Sequence, residues 1–156
     1  MEKPQKVFLV HGLFMRATML FPLAHRLQQL GYQCLRITYP TQRQPLRTSV
    51  HQHLECIQSF AQDETLFFLG HSLGGLFLRH LQDIWPQGFI DSRVVTLGTP
   101  HLGSKVGRYF HDRSWGQRII GHSWSEGLDG SAPKWNVKIP LLSIAGTFPL
   151  GFGTPL

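Results

Sequence analysis

The hexapeptide Gly70-His71-Ser72-Leu73-Gly74-Gly75 places a glycine two positions before and two positions after a serine. An apolar run, Thr65 to Leu69, precedes it, and Leu73, Leu76, Phe77, Leu81 and Ile84 follow at helical spacing up to Pro86. G-x-S-x-G between a strand and a helix marks a sharp turn that lifts the serine hydroxyl above a sheet, and the backbone crowding there demands glycine. The chemistry this predicts is nucleophilic attack by Ser72 on a carbonyl carbon, with the positive end of the following helix facing the developing negative charge. A glycine-rich turn with a capping serine is the competing account, and the strand-and-helix setting disfavours it.

A second element belongs with the first. Val7 to Val10 reads as a strand buried on both faces, and His11-Gly12-Leu13 closes it. Backbone N–H groups of Leu13 and Leu73 would then receive the oxyanion of a tetrahedral intermediate, with His11, Gly12, Gly70, His71 and Gly74 shaping the two loops. An ordinary strand-ending turn is the alternative for His11-Gly12.

Serine needs a base to accept its proton, and that base needs a third group to hold its tautomer. His101 falls just past the fourth apolar run, while His111 and His122 lie in a polar segment with Asp112, Glu126 and Asp129. These are the candidates, although loop histidines are mostly solvated or bonded locally. His71 is expected to pack away from substrate, and His80 lies on the inner face of its helix. His51-x-His53 does not converge on one ion and no HExxH occurs, so no metal and no cofactor are expected.

The elements that must position these residues alternate. Helical spacing runs through Leu20, Leu23, Ala24, Leu27 and Leu30; Cys34 to Thr38 is a strand; Ser49 and Gln52 suggest a capping box opening a helix over Val50, Leu54, Ile57 and Ala61. Val94 to Leu97 and Ile139 to Ala145 are further strands, and residues 104–136 read as a polar insertion with one short helix near Gln117 to Ile120. Strands alternating with helices imply an α/β fold: an open parallel sheet of about five strands, order 2-1-3-4-5, with flanking helices. Ligands bind such sheets beyond the carboxyl ends of the strands.

With 156 residues and 42% hydrophobic composition, a single domain over 1–156 is expected, with a possible cap at 104–136. The net charge of +6 comes from Lys and Arg that look scattered, with no aromatic residues interleaved, so no nucleic-acid partner is expected. Cys34 and Cys56 read as buried free thiols. No run is long enough to span a bilayer and the N-terminus lacks a signal-peptide pattern, which favours a cytoplasmic protein.

Three motifs in order, His11-Gly12-Leu13-Phe14, Gly70 to Gly75, and Leu97-Gly98-Thr99-Pro100-His101-Leu102-Gly103-Ser104, make the chain resemble small bacterial lipase/esterase-like serine α/β-hydrolases from about Val7 to Ala145. The resemblance implies a Ser–acid–His triad that cleaves carboxylic (thio)esters of an acyl or lipid-like small molecule through an acyl-enzyme on Ser72. It places the acid after the strand Ile139 to Ala145 and the histidine further on. No Asp or Glu follows Asp129 and no His follows His122. The sequence therefore reads as truncated before both partners, with a C-terminal strand and helix missing. The alternative function is an inactive remnant that binds a hydrophobic ligand or partner, since losing the base lowers rate by about 10⁴ to 10⁶. Tyr109, Phe110, Trp115 and Trp124 suit a lid over an acyl pocket or, equally, core filling.

Overall fold

A computed structural model describes residues 5–136 and 138–146. Five strands, β1 (Lys6–Val10), β2 (Gln33–Ile37), β3 (Leu66–His71), β4 (Val94–Leu97) and β5 (Leu141–Ile144), form one sheet in the order β2-β1-β3-β4-β5. Every pairing is parallel. This is the order expected from the alternating pattern. Five helices accompany the strands: α1 (Phe21–Gln29), α2 (Leu46–Ala61), α3 (Leu73–Ile84), α4 (Lys105–His111) and α5 (Ser114–Ile120).

Alternation along β1 divides the core between two layers. Phe8 and Val10 join Phe68, Phe77 and Ile57 beneath α2 and α3, whereas Val7 and Leu9 join Leu20 and Ala24 beneath α1. All five residues of β1 are buried, as a central parallel strand requires. Register sets the site: Val10 pairs with Gly70, and His71 pairs with Leu97. The residues that leave these three strands, His11, Ser72 and Gly98, are thereby delivered to one end of the sheet.

Several local expectations are corrected. Helix α2 opens one turn earlier than a Ser49 capping box would place it, with Pro45 at the N-cap. Leu46, fully buried, extends the apolar face of Val50 and Ile57 by that turn. Ser49 is buried inside the helix, where its hydroxyl accepts from Gln44 Nε2 at 2.7 Å. Leu30 ends the α1 stripe in solvent at 74% exposure, and Cys56 is exposed rather than buried. Residues 104–136 are more ordered than their composition suggests, since α4 and α5 both lie there. Ser104 caps α4, its hydroxyl accepting from Gly107 N at 2.9 Å.

Strand β5 is shorter than the apolar run Ile139 to Ala145 and is largely exposed. Leu69, Val95 and Leu142 sit side by side across β3, β4 and β5, and the row passes from half-buried to 58% exposed as it leaves the shelter of α1.

Candidate active site

Ser72 links β3 to α3 with φ 52° and ψ −119°, a conformation that costs a non-glycine residue roughly 1–3 kcal/mol. Its backbone is fastened on three sides. Ser72 N donates to Leu97 O at 2.8 Å, while its carbonyl accepts from Thr99 Oγ1 at 2.9 Å and from Gly75 N at 3.0 Å. The glycines flanking it are required by close approach: a Cβ on Gly70 would lie 2.6 Å from Gly75 N, and one on Gly74 would collide with the Val10 carbonyl oxygen.

The loop after β1 lies against this turn. A Cβ on Gly12 would stand 2.9 Å from both Ser72 Cβ and His71 Nδ1. His11 anchors the loop: its Nε2 accepts from Tyr39 N at 3.3 Å, so the ring proton sits on Nδ1 and donates to Gly12 O at 2.9 Å. Tyr39 stacks on the His11 ring at 4.5 Å and donates its hydroxyl to His11 O at 2.9 Å. Burial lowers the His11 pKa and keeps the ring neutral. Phe14 takes a positive φ of 61°, its N–H donating to Thr41 Oγ1 at 3.3 Å. Among the described residues the N–H groups of Leu13 and Leu73 have no acceptor.

The Ser72 hydroxyl caps no helix amide and has no hydrogen-bond partner among the described residues, which include all nine histidines. None of the histidines is bonded to it. His101 Nε2 lies 3.0 Å from Thr96 Oγ1, and burial, followed by the Arg79 charge, lowers its pKa. His111 stacks on Trp124 at 4.5 Å, and His122 is exposed. His80 is buried, its Nε2 donating to Glu126 O at 2.7 Å, as its place on the inner helix face suggested. His71 is half-buried; its Nδ1 has no partner among the described residues and burial lowers its pKa. Asp112 is exposed, and Asp129 Oδ1 accepts from Ser131 N at 2.8 Å. None of the local substitutes for a base meets Ser72. Among the described residues no group of three His, Cys, Asp or Glu is placed to hold a metal ion.

Sequence reasoning gave no role to four residues that build this region, although Thr99 lies within the third motif. Thr99 locks the serine carbonyl, Tyr39 and Thr41 tie down the β1 loop, and Arg79 joins three segments. The Arg79 guanidinium donates to Pro133 O at 2.6 Å, His101 O at 2.6 Å and Ala132 O at 2.9 Å. Its spacing puts it off the apolar face of α3, and no pattern announces carbonyl acceptors 22, 53 and 54 residues away. The segment carrying α4 and α5 touches the loop after β2, where His122 N donates to Gln42 O at 3.1 Å, and touches α3, where Gly127 lies against Leu76.

A parallel 2-1-3-4-5 sheet with a strained serine between its third strand and the following helix defines the α/β-hydrolase fold. No protein-family model and no curated protein sequence matches the chain. Among solved structures, a Bacillus licheniformis lipase in its mature form aligns with a TM-score of 0.70 and 23% identity, covering 97% of this chain and 69% of that one. A Paleococcus ferrophilus monoacylglycerol lipase aligns at 0.51 and 22%, covering 72% and 49%. The NocB thioesterase domain, solved covalently bound to a fluorophosphonate nocardicin G analog, aligns at 0.59 and 13%, covering 85% and 68%. The chain spans about half the length of the second of these structures and about two thirds of the other two. At these identities the likeness is one of fold.

Proposed function

We propose that the protein is a serine hydrolase of the lipase/carboxylesterase type, in which Ser72 attacks the carbonyl carbon of a carboxylic ester or thioester. The N–H groups of Leu13 and Leu73 receive the oxyanion, the alcohol or thiol leaves, and water releases the acid from an acyl-enzyme. The observation that carries this reading is the Ser72 backbone itself, held at φ 52° with a hydroxyl that serves no structural bond among the described residues. A helix-capping serine takes extended backbone and accepts from an amide of the first turn; Ser72 does neither. Lipase, esterase and thioesterase neighbours of the same fold support an acyl ester or lipid-like substrate. We further propose one domain with 104–136 as its cap. Two free thiols, Cys34 and Cys56, fit a reducing, cytoplasmic setting.

One observation favours a second reading. With no histidine hydrogen-bonded to Ser72 and His101, His80 and His11 each engaged elsewhere, the proton of the hydroxyl has no acceptor among the described residues, and the same fold then serves as a binding module for a hydrophobic ligand or partner. Labelling of the purified 156-residue chain with a fluorophosphonate probe separates the two. Labelling that disappears in Ser72→Ala supports the hydrolase, and His101→Ala then tests whether that histidine is the base. Folded protein that does not label leaves the binding module.

A further inference from the structure

Along α4 and its C-cap, Lys105, Arg108, Tyr109 and Asp112 fall at i, i+3, i+4 and i+7 and are all exposed, whereas Gly107 and His111 turn toward Trp124. On α5, Trp115 and Arg118 point outward while Gly116 and Ile120 are buried. The two outward faces are continuous. Arg113 lies over the Tyr109 ring at 3.5 Å, and Phe110 meets the rings of Tyr109 and Trp115 edge-on at 5.8 Å and 5.5 Å. The basic residues that look scattered along the chain are therefore interleaved with aromatics here, because helical spacing gathers what sequence order separates. Between Lys105 and Arg118, four basic side chains against Asp112 carry half of the net charge of +6. Leu102, on the loop leading into α4, is 96% exposed.

We propose that this face docks on an anionic lipid surface. Leu102, Tyr109 and Trp115 enter the headgroup boundary and Arg108, Arg113 and Arg118 meet lipid phosphates, turning the carboxyl end of the sheet toward the membrane. Aromatic rings with cationic neighbours also suit nucleic acid, but a fully presented leucine has no π-face on which a base can stack, and apolar burial is what a lipid boundary offers. The proposal does not rest on catalysis at Ser72, so it is tested in the Ser72→Ala protein.

The experiment is cosedimentation with vesicles of phosphatidylcholine alone and of phosphatidylcholine mixed with phosphatidylglycerol, alongside titration of a labelled single-stranded oligonucleotide. Partition at least tenfold stronger onto the phosphatidylglycerol vesicles is expected. Arg108→Gln with Arg118→Gln should weaken it about 25-fold, at roughly fivefold per basic residue near an anionic surface. Leu102→Ser should weaken the binding that survives in high salt. Equal partition onto both vesicle types, undiminished binding by the double variant, or tighter binding to the oligonucleotide than to vesicles would each overturn the proposal. The vesicle comparison alone is decisive should a variant fail to fold.

Discussion

Replacing Arg79 with methionine is expected to destabilise the protein by about 3 kcal/mol. Arg79 is 8% exposed and has no acidic partner among the described residues, where its charge is met by the carbonyls of His101, Ala132 and Pro133. Methionine fills much the same volume, so the loss is polar. The Ala132 carbonyl lies in buried surroundings and carries the full penalty of an unmet acceptor, about 1–3 kcal/mol, while the half-buried His101 and Pro133 carbonyls recover part of theirs from water. A lysine at the same place offers one compact ammonium in place of a planar fork and should restore no more than about one of the three bonds. Urea unfolding of the parent, Arg79→Met and Arg79→Lys measures both differences, and thermal unfolding should fall by roughly 6–12 °C for the methionine variant. Limited proteolysis should cut 129–134 faster than any other segment, because Arg79 is what ties that stretch to α3. An Arg79→Met protein within about 0.5 kcal/mol of the parent would refute the reasoning.

Gly74→Ala is expected to cost at least 2 kcal/mol, at the upper part of the overpacking range, because the new methyl meets the Val10 carbonyl and two backbones must part. Probe labelling at Ser72 should fall with it, and a stable, labelled Gly74→Ala protein would show that the β1 loop and the serine turn need not touch. Acid should weaken the fold. Burial lowers the folded-state pKa of His11, His71, His80 and His101 below the ordinary 6.5, so below about pH 6.5 the unfolded chain binds more protons and stability falls as pH falls. For His80 the added proton would sit on Nδ1, a buried atom with no partner among the described residues, while Glu126 and Asp83 favour the charge and Arg47 opposes it. A urea midpoint unchanged between pH 8 and pH 5 would contradict this.

Sheet order and the serine turn were legible because both rest on local pattern. A continuous apolar run marks β1 as a strand buried on both faces, a 3.6 period assigns the residues of α3 to a face, and G-x-S-x-G states its own backbone requirement. Helix α2 was misplaced by a turn because Ser49 and Gln52 fit a capping pattern, while Leu46 reveals its burial only once the sheet beneath it exists. Helix α4 was lost because Gly107, a poor helix former, reads as a breaker. It forms in spite of the glycine: Ser104 caps its first turn, and Gly107 is buried on the side that faces Trp124. Arg79 was the least legible of all. A basic residue off the apolar face of its helix has a reason to be buried only when the carbonyls it serves have been folded around it.

The question the serine raises is one of commitment. Most polar groups around it have been assigned: the Ser72 carbonyl to Thr99 and Gly75, both His11 nitrogens to the β1 and β2 loops, His101 Nε2 to Thr96. What is left uncommitted among the described residues is the Ser72 hydroxyl, the amides of Leu13 and Leu73, and the Nδ1 of His71. A structural turn has no reason to hold roughly 1–3 kcal/mol of strain for a hydroxyl that bonds nothing, since glycine at position 72 would relieve it. An acyl-transfer site does have one, because donors fixed in advance stabilise an oxyanion without reorganising when it forms. His101 is neutral at pH 7 through burial and so carries an available lone pair, but it must give up Thr96 before it can take a proton from Ser72. Reactivity at Ser72 therefore turns on whether that exchange, or a base from outside the described residues, completes what the turn and the β1 loop have prepared.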